Sequence, residues 1–436
     1  MHTNKAYIDY DSRNIRSHSC WHHRRFKIFC ISLIILGVLI IVFSLLLKFV
    51  ILTPKKTTTI STTTGTTTTI TTTVGTTTTT TTTIRTTTTI TTTIGTTTTT
   101  EKPGWVTTAD MNIARIEHTA NLLKNGKVLI TGGIHNSSDL NVAELYDPLI
   151  GLWTVTGTMK NKRYGHIAMT LRNGKVLVAG GLSYPKYLNT AEVYDPSTGI
   201  WTMTGNMRDA RHLAAGSILS NGNVLISGGN NDSGFLSSAE IYDPSTGIWS
   251  TTGSMTHARN RHTLSLLSNG QILVTGGYAN PTFLNSAELY DITTGKWTTT
   301  ANMNEARERH TANVLSDGKV LVTGGSYNTK VYNTAELYDP LTGRWEFAGK
   351  MNNTRCNHQG VLLHSGKVLV TGGSDERKVL DSVELYDPST KMWTTVDGMI
   401  SNREFHTACL LLNGKVLVSG GSIDNLYLAS SELYNP

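Results

Sequence analysis

Seven tryptophans recur in this chain at a fixed spacing of 48 residues, and seven methionines follow them, each six residues later. The tryptophans are Trp105, Trp153, Trp201, Trp249, Trp297, Trp345 and Trp393, and the methionines are Met111, Met159, Met207, Met255, Met303, Met351 and Met399. A period of 20 to 50 residues marks one supersecondary unit that is copied along the chain. The spacing therefore predicts seven equivalent units over residues 105–436.

The residues before the repeats divide into three segments of different composition. Residues 1–27 are polar and basic, 28–52 are almost wholly apolar, and 53–104 are rich in threonine. Residues 28–47 carry no charge, and 20 helical residues span roughly the 30 Å of a bilayer core. A cleaved signal peptide would have a shorter apolar core and a small-residue cleavage site. We therefore predict one transmembrane signal anchor at residues 28–52.

Basic residues indicate the orientation of this anchor. Six lysines and arginines precede it within residues 1–27, whereas Lys48, Lys55 and Lys56 follow its core. The positive-inside rule places residues 1–27 in the cytosol and the rest outside, as in a single-pass type II protein of the plasma membrane. Cys20 and Cys30 are then either palmitoylation sites or ordinary thiols.

The threonine tract predicts a stalk rather than a folded domain. Residues 57–100 contain 33 threonines among 44 residues. Such a tract lacks the apolar variety needed to bury a core, so we expect it to be disordered. It is either an O-glycosylated, mucin-like stalk or a low-complexity spacer.

The charge distribution argues against nucleic-acid binding. The net charge of +7 divides into +8 before Trp105 and −1 from Trp105 onward. A nucleic-acid-binding domain carries its basic stripe on the folded part, and here the excess flanks the apolar segment.

Each unit contains the signals of four short strands, which we term a, b, c and d. An Asn-Gly pair such as Asn125-Gly126 predicts a tight a–b hairpin in which both turn residues take positive φ. A β-branched run ending in Gly132-Gly133, an Ala-Glu-Leu-Tyr-Asp-Pro segment and Trp153 mark strands b, c and d. Turns at this spacing are typical of all-β blades.

The double glycine, the Tyr and Trp spacing and the period resemble the kelch repeat, a four-stranded β-propeller blade. The resemblance covers about three quarters of the chain and implies an all-β, seven-bladed kelch-type propeller over residues 105–436. The last unit lacks a d strand, whereas a spare d strand, 105–111, precedes the first a strand. We therefore expect strand 105–111 to close the propeller, which leaves no open edge.

Strand alternation assigns the connections to two faces. The a–b and c–d turns share one face, and the longer b–c loops share the other with the d–a connections. The b–c loops are residues 134–142, 182–190, 230–238, 278–286, 326–334, 374–382 and 422–430. Because binding usually resides on loops presented by a rigid scaffold, we expect the ligand at the b–c and d–a face, pointing away from the membrane.

Aromatic side chains and one lysine occupy variable positions of these loops. They are Tyr184, Tyr187, Phe235, Tyr278, Phe283, Tyr327, Lys330 and Tyr427. Aromatic residues on such loops suit sugar stacking or protein hot spots, although several could instead fold back onto the blades. Three sequons on the same face, at Asn136, Asn231 and Asn352, are candidate glycosylation sites.

Two repeated polar positions predict scaffold contacts rather than a catalytic or metal site. Arg-x-x-His recurs in six units, and Glu144 has a counterpart in all seven. A metal site needs three or four ligands that converge at about 2 Å, whereas a propeller spaces equivalent residues around a ring. We therefore expect one Arg–Glu contact for each blade, no metal and no cofactor.

The kelch resemblance also suggests an alternative function, that of a copper oxidase similar to galactose oxidase. That family implies a Cys–Tyr cross-link, a Tyr-His pair and a further domain, and none of these motifs matches residues of this chain. Cys356 and Cys409 are the cysteines of the repeat region, and they form either one disulfide or two free thiols.

These features predict an extracellular, membrane-tethered module that binds a protein or a glycan through its loop face and is not an enzyme. The alternatives are a galactose-oxidase-like copper oxidase and an intracellular protein-interaction scaffold.

Overall fold

Each 48-residue unit folds into a four-stranded antiparallel sheet in residues 104–436, which are the residues that the computed structural model describes. Seven such sheets form an all-β, seven-bladed propeller, as the repeat predicted. The predicted cytosolic tail, the membrane segment and residues 53–103 of the stalk lie outside the described residues. Residues 104–436 contain no helix with the length and apolarity needed to cross a bilayer.

In every blade the strands follow one another as a meander in the order a, b, c, d. Blade 1 contains β2 (Thr119–Leu122), β3 (Val128–Thr131), β6 (Ala143–Asp147) and β7 (Leu152–Val155); blade 2 contains β8 (Ile167–Thr170), β9 (Val176–Ala179), β12 (Ala191–Asp195) and β13 (Ile200–Met203). Blade 3 contains β14 (Ala215–Ile218), β15 (Val224–Ser227), β18 (Ala239–Asp243) and β19 (Ile248–Thr252); blade 4 contains β20 (Thr263–Leu266), β21 (Ile272–Thr275), β24 (Ala287–Asp291) and β25 (Lys296–Thr299); blade 5 contains β26 (Thr311–Val314), β27 (Val320–Thr323), β30 (Thr334–Asp339) and β31 (Arg344–Lys350). Blade 6 contains β32 (Gln359–Leu362), β33 (Val368–Thr371), β34 (Val383–Asp387) and β35 (Met392–Val396); blade 7 contains β36 (Thr407–Leu410), β37 (Val416–Ser419), β40 (Ser431–Asn435) and β1 (Gly104–Thr107).

Six of the b–c loops contain a small hairpin of two-residue strands. These are β4 (Ile134–His135) with β5 (Ser138–Asp139), β10 (Leu182–Ser183) with β11 (Lys186–Tyr187), β16 (Asn230–Asn231) with β17 (Gly234–Phe235), β22 (Tyr278–Ala279) with β23 (Thr282–Phe283), β28 (Ser326–Tyr327) with β29 (Lys330–Val331), and β38 (Ser422–Ile423) with β39 (Leu426–Tyr427). Main-chain pairing therefore holds these loops in a defined shape.

Blade 7 combines strands from both ends of the described chain. β1 pairs with β40, from Gly104 opposite Asn435 to Thr107 opposite Glu432. The strand ends at Thr107 rather than at Met111, but Met111 N still donates to Ala429 O. Gly104 lies at the end of the blade that is opposite its b–c loop, because β40 runs from that loop toward Asn435.

Blades pack face to face through their b and c strands. All four residues of every b strand are buried. In one cluster Leu177 and Ala191 of blade 2 pack with Val224 and Tyr242 of blade 3. The a strands contact one another around the axis and are therefore innermost. The hydrophobic effect thus stabilises the ring as a whole, since each blade buries its apolar faces against its two neighbours.

The tryptophan period has a direct structural cause. Each tryptophan ring of the d strand packs on the tyrosine of its c strand, with centroids 5.0–5.1 Å apart. The indole N–H of Trp201 also donates to Gly157 O at the end of the preceding blade, and Trp297 makes the same contact to Gly253 O. Six of the seven indoles donate to the preceding blade in this way, whereas the Trp249 N–H has no partner in residues 104–436. The tryptophan thus generally joins one blade to the next.

The predicted geometry of the a–b turns is wrong in one respect. Gly126 has a positive φ of 82°, but Asn125 does not share it. Gly126 N donates to Leu123 O, and the Asn125 side chain accepts from Lys127 N. This pattern fits a type I turn followed by a left-handed glycine, in which the residue before glycine keeps an ordinary backbone. That is why blade 6 accepts Ser365 in the asparagine position.

The first glycine of the double-glycine motif is required by a close approach between blades. A Cβ on Gly228 would lie 2.3 Å from Arg259 O and 2.6 Å from His262 Cε1, and its φ is +63°. We expect Gly228→Ala to lower the free energy of unfolding by about 3 kcal/mol or more, because left-handed strain adds to a backbone clash. Urea denaturation of the purified chain would measure the change.

Gly234 provides the matched control for this substitution. Its φ is +111°, and nothing lies within 4 Å of its virtual Cβ. Gly234→Ala therefore introduces the backbone strain without the clash and should cost about 1–2 kcal/mol. Equal losses for the two variants would show that the approach of Arg259 O is unimportant.

Candidate functional site

Backbone hydrogen bonds join the b–c loops to the d–a connections on one face of the propeller, which we call the loop face. Gly133 N in the b–c loop of blade 1 donates to Arg163 O in the connection to blade 2. Arg163 N donates back to Leu140 O, and Met159 N donates to Asn141 O. The opposite face, with the a–b and c–d turns, we call the turn face. The loop face is therefore a continuous, hydrogen-bonded surface, on which a side chain can be held in a fixed position.

A buried arginine and a buried glutamate form an ion pair in every unit, which confirms the predicted Arg–Glu contact. The pairs are Arg115–Glu144, Arg163–Glu192, Arg211–Glu240, Arg259–Glu288, Arg307–Glu336, Arg355–Glu384 and Arg403–Glu432, with N–O distances of 2.5–3.0 Å. In blade 4, Glu288 also accepts from the backbone N–H groups of Thr256 and His257. Both charges are thus satisfied within the scaffold, so these groups are not placed to act on a substrate.

The repeated histidines are also part of the scaffold. His166 Nε2 lies 3.1 Å from the hydroxyls of Thr119 and Thr131 in the preceding blade. Burial, followed by the charge of the neighbouring arginine, lowers the pKa of His118 and His310 to about 3. These imidazoles are therefore neutral bridges between blades at physiological pH. Among residues 104–436 no group of three or more His, Cys, Asp or Glu side chains could hold a metal.

Sequence reasoning missed a ring of residues at the loop-face end of the a strands. It consists of the second x residue of each Arg-x-x-His motif or its counterpart, and we call it the mouth ring: Glu117, Gly165, Leu213, Arg261, Arg309, Asn357 and Phe405. All seven have positive φ, from 50° to 58°. Backbone hydrogen bonds run along it from blade to blade, from Gly165 N to Glu117 O, Leu213 N to Gly165 O and Arg261 N to Leu213 O.

The mouth ring combines backbone strain with sequence variation. A leucine, a phenylalanine or an arginine in the left-handed region costs about 1–2 kcal/mol, and such strain concentrates at functional sites. The arginine two residues before it and the histidine one residue after it repeat in nearly every unit. The mouth-ring position changes from blade to blade, as does the largely buried residue between it and the arginine. That variation was the signal in the sequence that could have identified it.

The polar part of this site lies on blades 4 to 7. Arg261 Nη1 is 3.4 Å from Glu308 Oε2, and Arg309 Nε is 3.7 Å from Glu308 Oε1. Burial and then the charge of Arg309 lower the pKa of Arg261. Arg309 also lies over the Phe405 ring, 5.9 Å from its centroid. Two guanidinium groups thus share one carboxylate beside an aromatic ring.

The opposite part of the mouth is apolar apart from Glu117. Ile116, Ile134, Tyr164 and Leu182 form a buried cluster, and Tyr187, Phe405 and Tyr427 pack against it. Two of the predicted ligand-binding residues, Tyr187 and Tyr427, therefore fold back onto the blades. The Tyr187 ring is also 6.1 Å from His212, and the Tyr427 ring is 5.8 Å from His135.

Four other predicted residues come together on the loops of blades 3, 4 and 5. Phe235 contacts Tyr278, Tyr278 contacts Phe283, and Phe283 contacts Tyr327, with centroid distances of 5.5, 4.8 and 5.0 Å. Tyr184 lies apart from them on the loop of blade 2 and is 64% exposed. The predicted set is thus divided into an aromatic group, a folded-back pair and one separate tyrosine.

Lys330 lies at the edge of the aromatic group. Its ammonium is 4.6 Å from the centroid of the Tyr332 ring and 3.8 Å from the Glu305 carboxylate. Its side chain nevertheless remains 63% exposed.

The three sequons differ in accessibility. Asn136 and Asn352 are exposed, whereas Asn231 is half-buried. The Asn352 amide donates to Thr395, and the Asn231 amide donates to Ala210 O. Glycosylation at all three positions stays a prediction, and Asn136 and Asn352 are the more accessible acceptors.

Cys356 and Cys409 are both free thiols. Cys356 is buried beside Ser374, and Cys409 is on the a strand of blade 7. Burial raises the pKa of both thiols, that of Cys409 to about 11. Neither thiol is therefore activated as a nucleophile.

Comparisons with known proteins address the fold. A model of the kelch motif matches residues 122–160, 163–208 and 212–256, and a model of the KLHDC2/KLHL20/DRC7 Kelch-repeats domain matches residues 250–421. No curated protein matches the chain. A solved fungal alcohol oxidase of the AA5 family, in complex with copper, is similar with a TM-score of 0.64 and 18% identity, over 77% of this chain and 76% of that chain. At this identity the likeness shows the fold alone.

Proposed function

We propose that this chain, whose propeller is built from kelch repeats, is a membrane-anchored recognition module that binds an extracellular partner through its loop face. A kelch propeller is a general protein-binding scaffold, which supports a binding role rather than an enzymatic one. The apolar run at residues 28–52 and its basic flank support the membrane anchor and an outward-facing propeller.

The mouth ring is the observation that carries this proposal. The Arg–Glu pairs, which serve the blade, are copied from unit to unit. The mouth ring instead varies, while its backbone is held at positive φ and is hydrogen-bonded across five of the seven junctions between blades. A fixed backbone with variable, partly exposed side chains is the arrangement that a specific binding surface needs.

Arg309→Ala should weaken binding at least tenfold, because it removes a guanidinium whose position Glu308 and Phe405 fix. The measurement is titration of tagged full-length chain in nanodiscs onto intact cells, read by flow cytometry. A C-terminal tag that antibodies reach on unpermeabilised expressing cells would support the outward orientation.

Leu341→Ala is the control for the loop-face variant. Leu341 is 95% exposed in the c–d turn of blade 5, on the turn face of the same blade as Arg309. Binding should be unchanged in this variant. Equal loss in both variants, or loss in neither, would contradict recognition through the mouth ring.

A further inference from the structure

The loops of blades 3, 4 and 5 form one aromatic surface, which we call the aromatic ridge: Phe235, Tyr278, Phe283 and Tyr327. Each ring touches the next, and the contacts cross two blade boundaries. Tyr327 is 46% exposed, and the other three rings are half-buried. The ridge therefore presents ring surface to solvent while its rings are braced by one another.

Backbone hydrogen bonds hold the residues of the ridge in place. Tyr278 N donates to Asn260 O, and Asn260 N donates to Tyr278 O, at 3.0 and 2.9 Å. Tyr278 also pairs with Phe283 across its loop hairpin. Such rings lose little conformational freedom when a ligand binds, so a stacking contact there retains most of its free energy.

A buried amide beside the ridge has an unused acceptor. Asn260 is 5% exposed, and its Nδ2 donates to Asn230 Oδ1 at the base of the blade 3 loop. Its Oδ1 accepts no hydrogen bond in residues 104–436. A buried acceptor of this kind is usually satisfied by a water molecule or by a hydroxyl donor of a ligand.

The exposed positions of the three loops that carry the ridge are polar but almost uncharged. Besides Tyr327 and Pro281, they are Asp232, Ser233, Asn280, Thr282, Asn328, Thr329 and Lys330. One acid and one base leave no net charge, and Lys330 already lies near Glu305. Amides and hydroxyls both donate and accept hydrogen bonds, as sugar hydroxyls do.

We propose that the aromatic ridge binds a neutral glycan, an inference that rests on the loop-face recognition proposed above. The C–H face of a pyranose packs on an aromatic ring, and its hydroxyls find the surrounding amides and hydroxyls. An acidic glycan would require cationic groups, but the only cation among those exposed positions is Lys330. A protein partner would instead need roughly 1,000 Å² or more of buried surface, of which the ridge could form only a part.

The test uses full-length chain in nanodiscs on an array that carries neutral, sialylated and sulfated oligosaccharides. We expect binding to at least one neutral class, and little change in affinity between 0.15 and 0.5 M NaCl, because uncharged contacts are not screened. Tyr327→Ala should weaken binding about tenfold, the effect of losing about 1.4 kcal/mol of stacking. Tyr327→Phe keeps the ring and should bind like the unmodified chain.

Phe347→Ala is the control variant. Phe347 is 56% exposed on the d strand of blade 5, away from the loop face, so its loss should leave glycan binding unchanged. The proposal is overturned if no neutral glycan binds, if only acidic glycans bind in a salt-sensitive manner, or if Tyr327→Ala has no effect.

Enzymatic treatment of the target cells distinguishes failure of the glycan proposal from failure of the proposed loop-face recognition. Binding that disappears after glycosidase treatment of the target cells supports the glycan. Binding that disappears only after protease treatment, and still responds to Arg309→Ala, refutes the glycan and keeps loop-face recognition. Binding that responds to neither Arg309→Ala nor Tyr327→Ala refutes loop-face recognition itself.

Discussion

Glu288→Gln is expected to lower the free energy of unfolding by about 3–5 kcal/mol, because it leaves the Arg259 charge buried without its partner. Both side chains are 0% exposed, and Arg259 Nη2 lies 2.8 Å from Glu288 Oε1. Arg259 also donates to Gly276 O and to both oxygens of Ser286, so it cannot turn toward solvent without breaking these contacts. Glutamine keeps the shape of the side chain, but its NH2 group cannot accept from the backbone N–H that it faces, so the expected loss includes one missing acceptor besides the missing charge.

Glu346→Gln is the matched control. Glu346 pairs with Lys391 at 3.0 Å and with Lys319 at 3.4 Å, but these side chains are 29–48% exposed. Solvent-exposed pairs contribute less than about 1 kcal/mol, so this variant should unfold at nearly the unmodified urea concentration. Similar destabilisation in the two variants would mean that burial does not determine the effect of the pair.

The propeller is expected to lose stability steeply as the pH falls below about 6.5. Six buried histidines have a folded-state pKa far below that of an unfolded histidine; they are His118, His166, His262, His310, His358 and His406. A depressed histidine pKa means that the unfolded state binds the extra proton. The stabilisation is thus complete above pH 6.5 and is lost between pH 6.5 and about 3.

The magnitude of this effect follows from the number of histidines. Each proton taken up on unfolding costs about 1.4 kcal/mol for each pH unit. The uptake of six protons would then lower the free energy of unfolding by several kcal/mol for each pH unit. The total free energy of unfolding of a typical protein is only about 5–15 kcal/mol. Acid unfolding should therefore occur at mildly acidic pH, and it should be cooperative because each histidine bridges two blades.

Urea denaturation between pH 7.5 and 5 would measure this dependence. His310→Gln retains an amide that can bond to the hydroxyls of Thr263 and Thr275 but cannot titrate. It should lower the number of protons taken up on unfolding by about one, and with it the dependence of the unfolding free energy on pH. An unfolding free energy that stays flat down to pH 5 would contradict a neutral histidine ring.

The sequence predicted the scaffold well because nearly every scaffold contact is repeated. The Trp153 and Tyr146 positions, the Arg–Glu pairs and the double glycines each recur with the 48-residue period, so their structural role could be inferred from the period itself. The turn at Asn125-Gly126 was misjudged because a dipeptide does not distinguish a two-residue turn from a type I turn with a left-handed glycine.

The candidate site was less predictable because aromatic composition does not reveal which way a ring packs. Tyr187 and Tyr427 looked equivalent to Tyr278 and Phe283 in their loops. The structure packs the first two against the apolar cluster at the mouth and joins the other two in the aromatic ridge. Arg309 was overlooked, since nothing in an isolated Arg-x-x-His motif shows that its x residue has positive φ.

The sequence by itself determined the number of blades, their strand order and the ion pairs that satisfy their buried charges, because these depend on short-range patterns repeated in each unit. Only the tertiary structure decided which variable residues meet. Closure of the ring brings the loops of blades 3, 4 and 5 side by side and aligns the seven left-handed residues around the axis. Contacts between positions about 48 residues apart arise from blade packing, and no local sequence pattern encodes them.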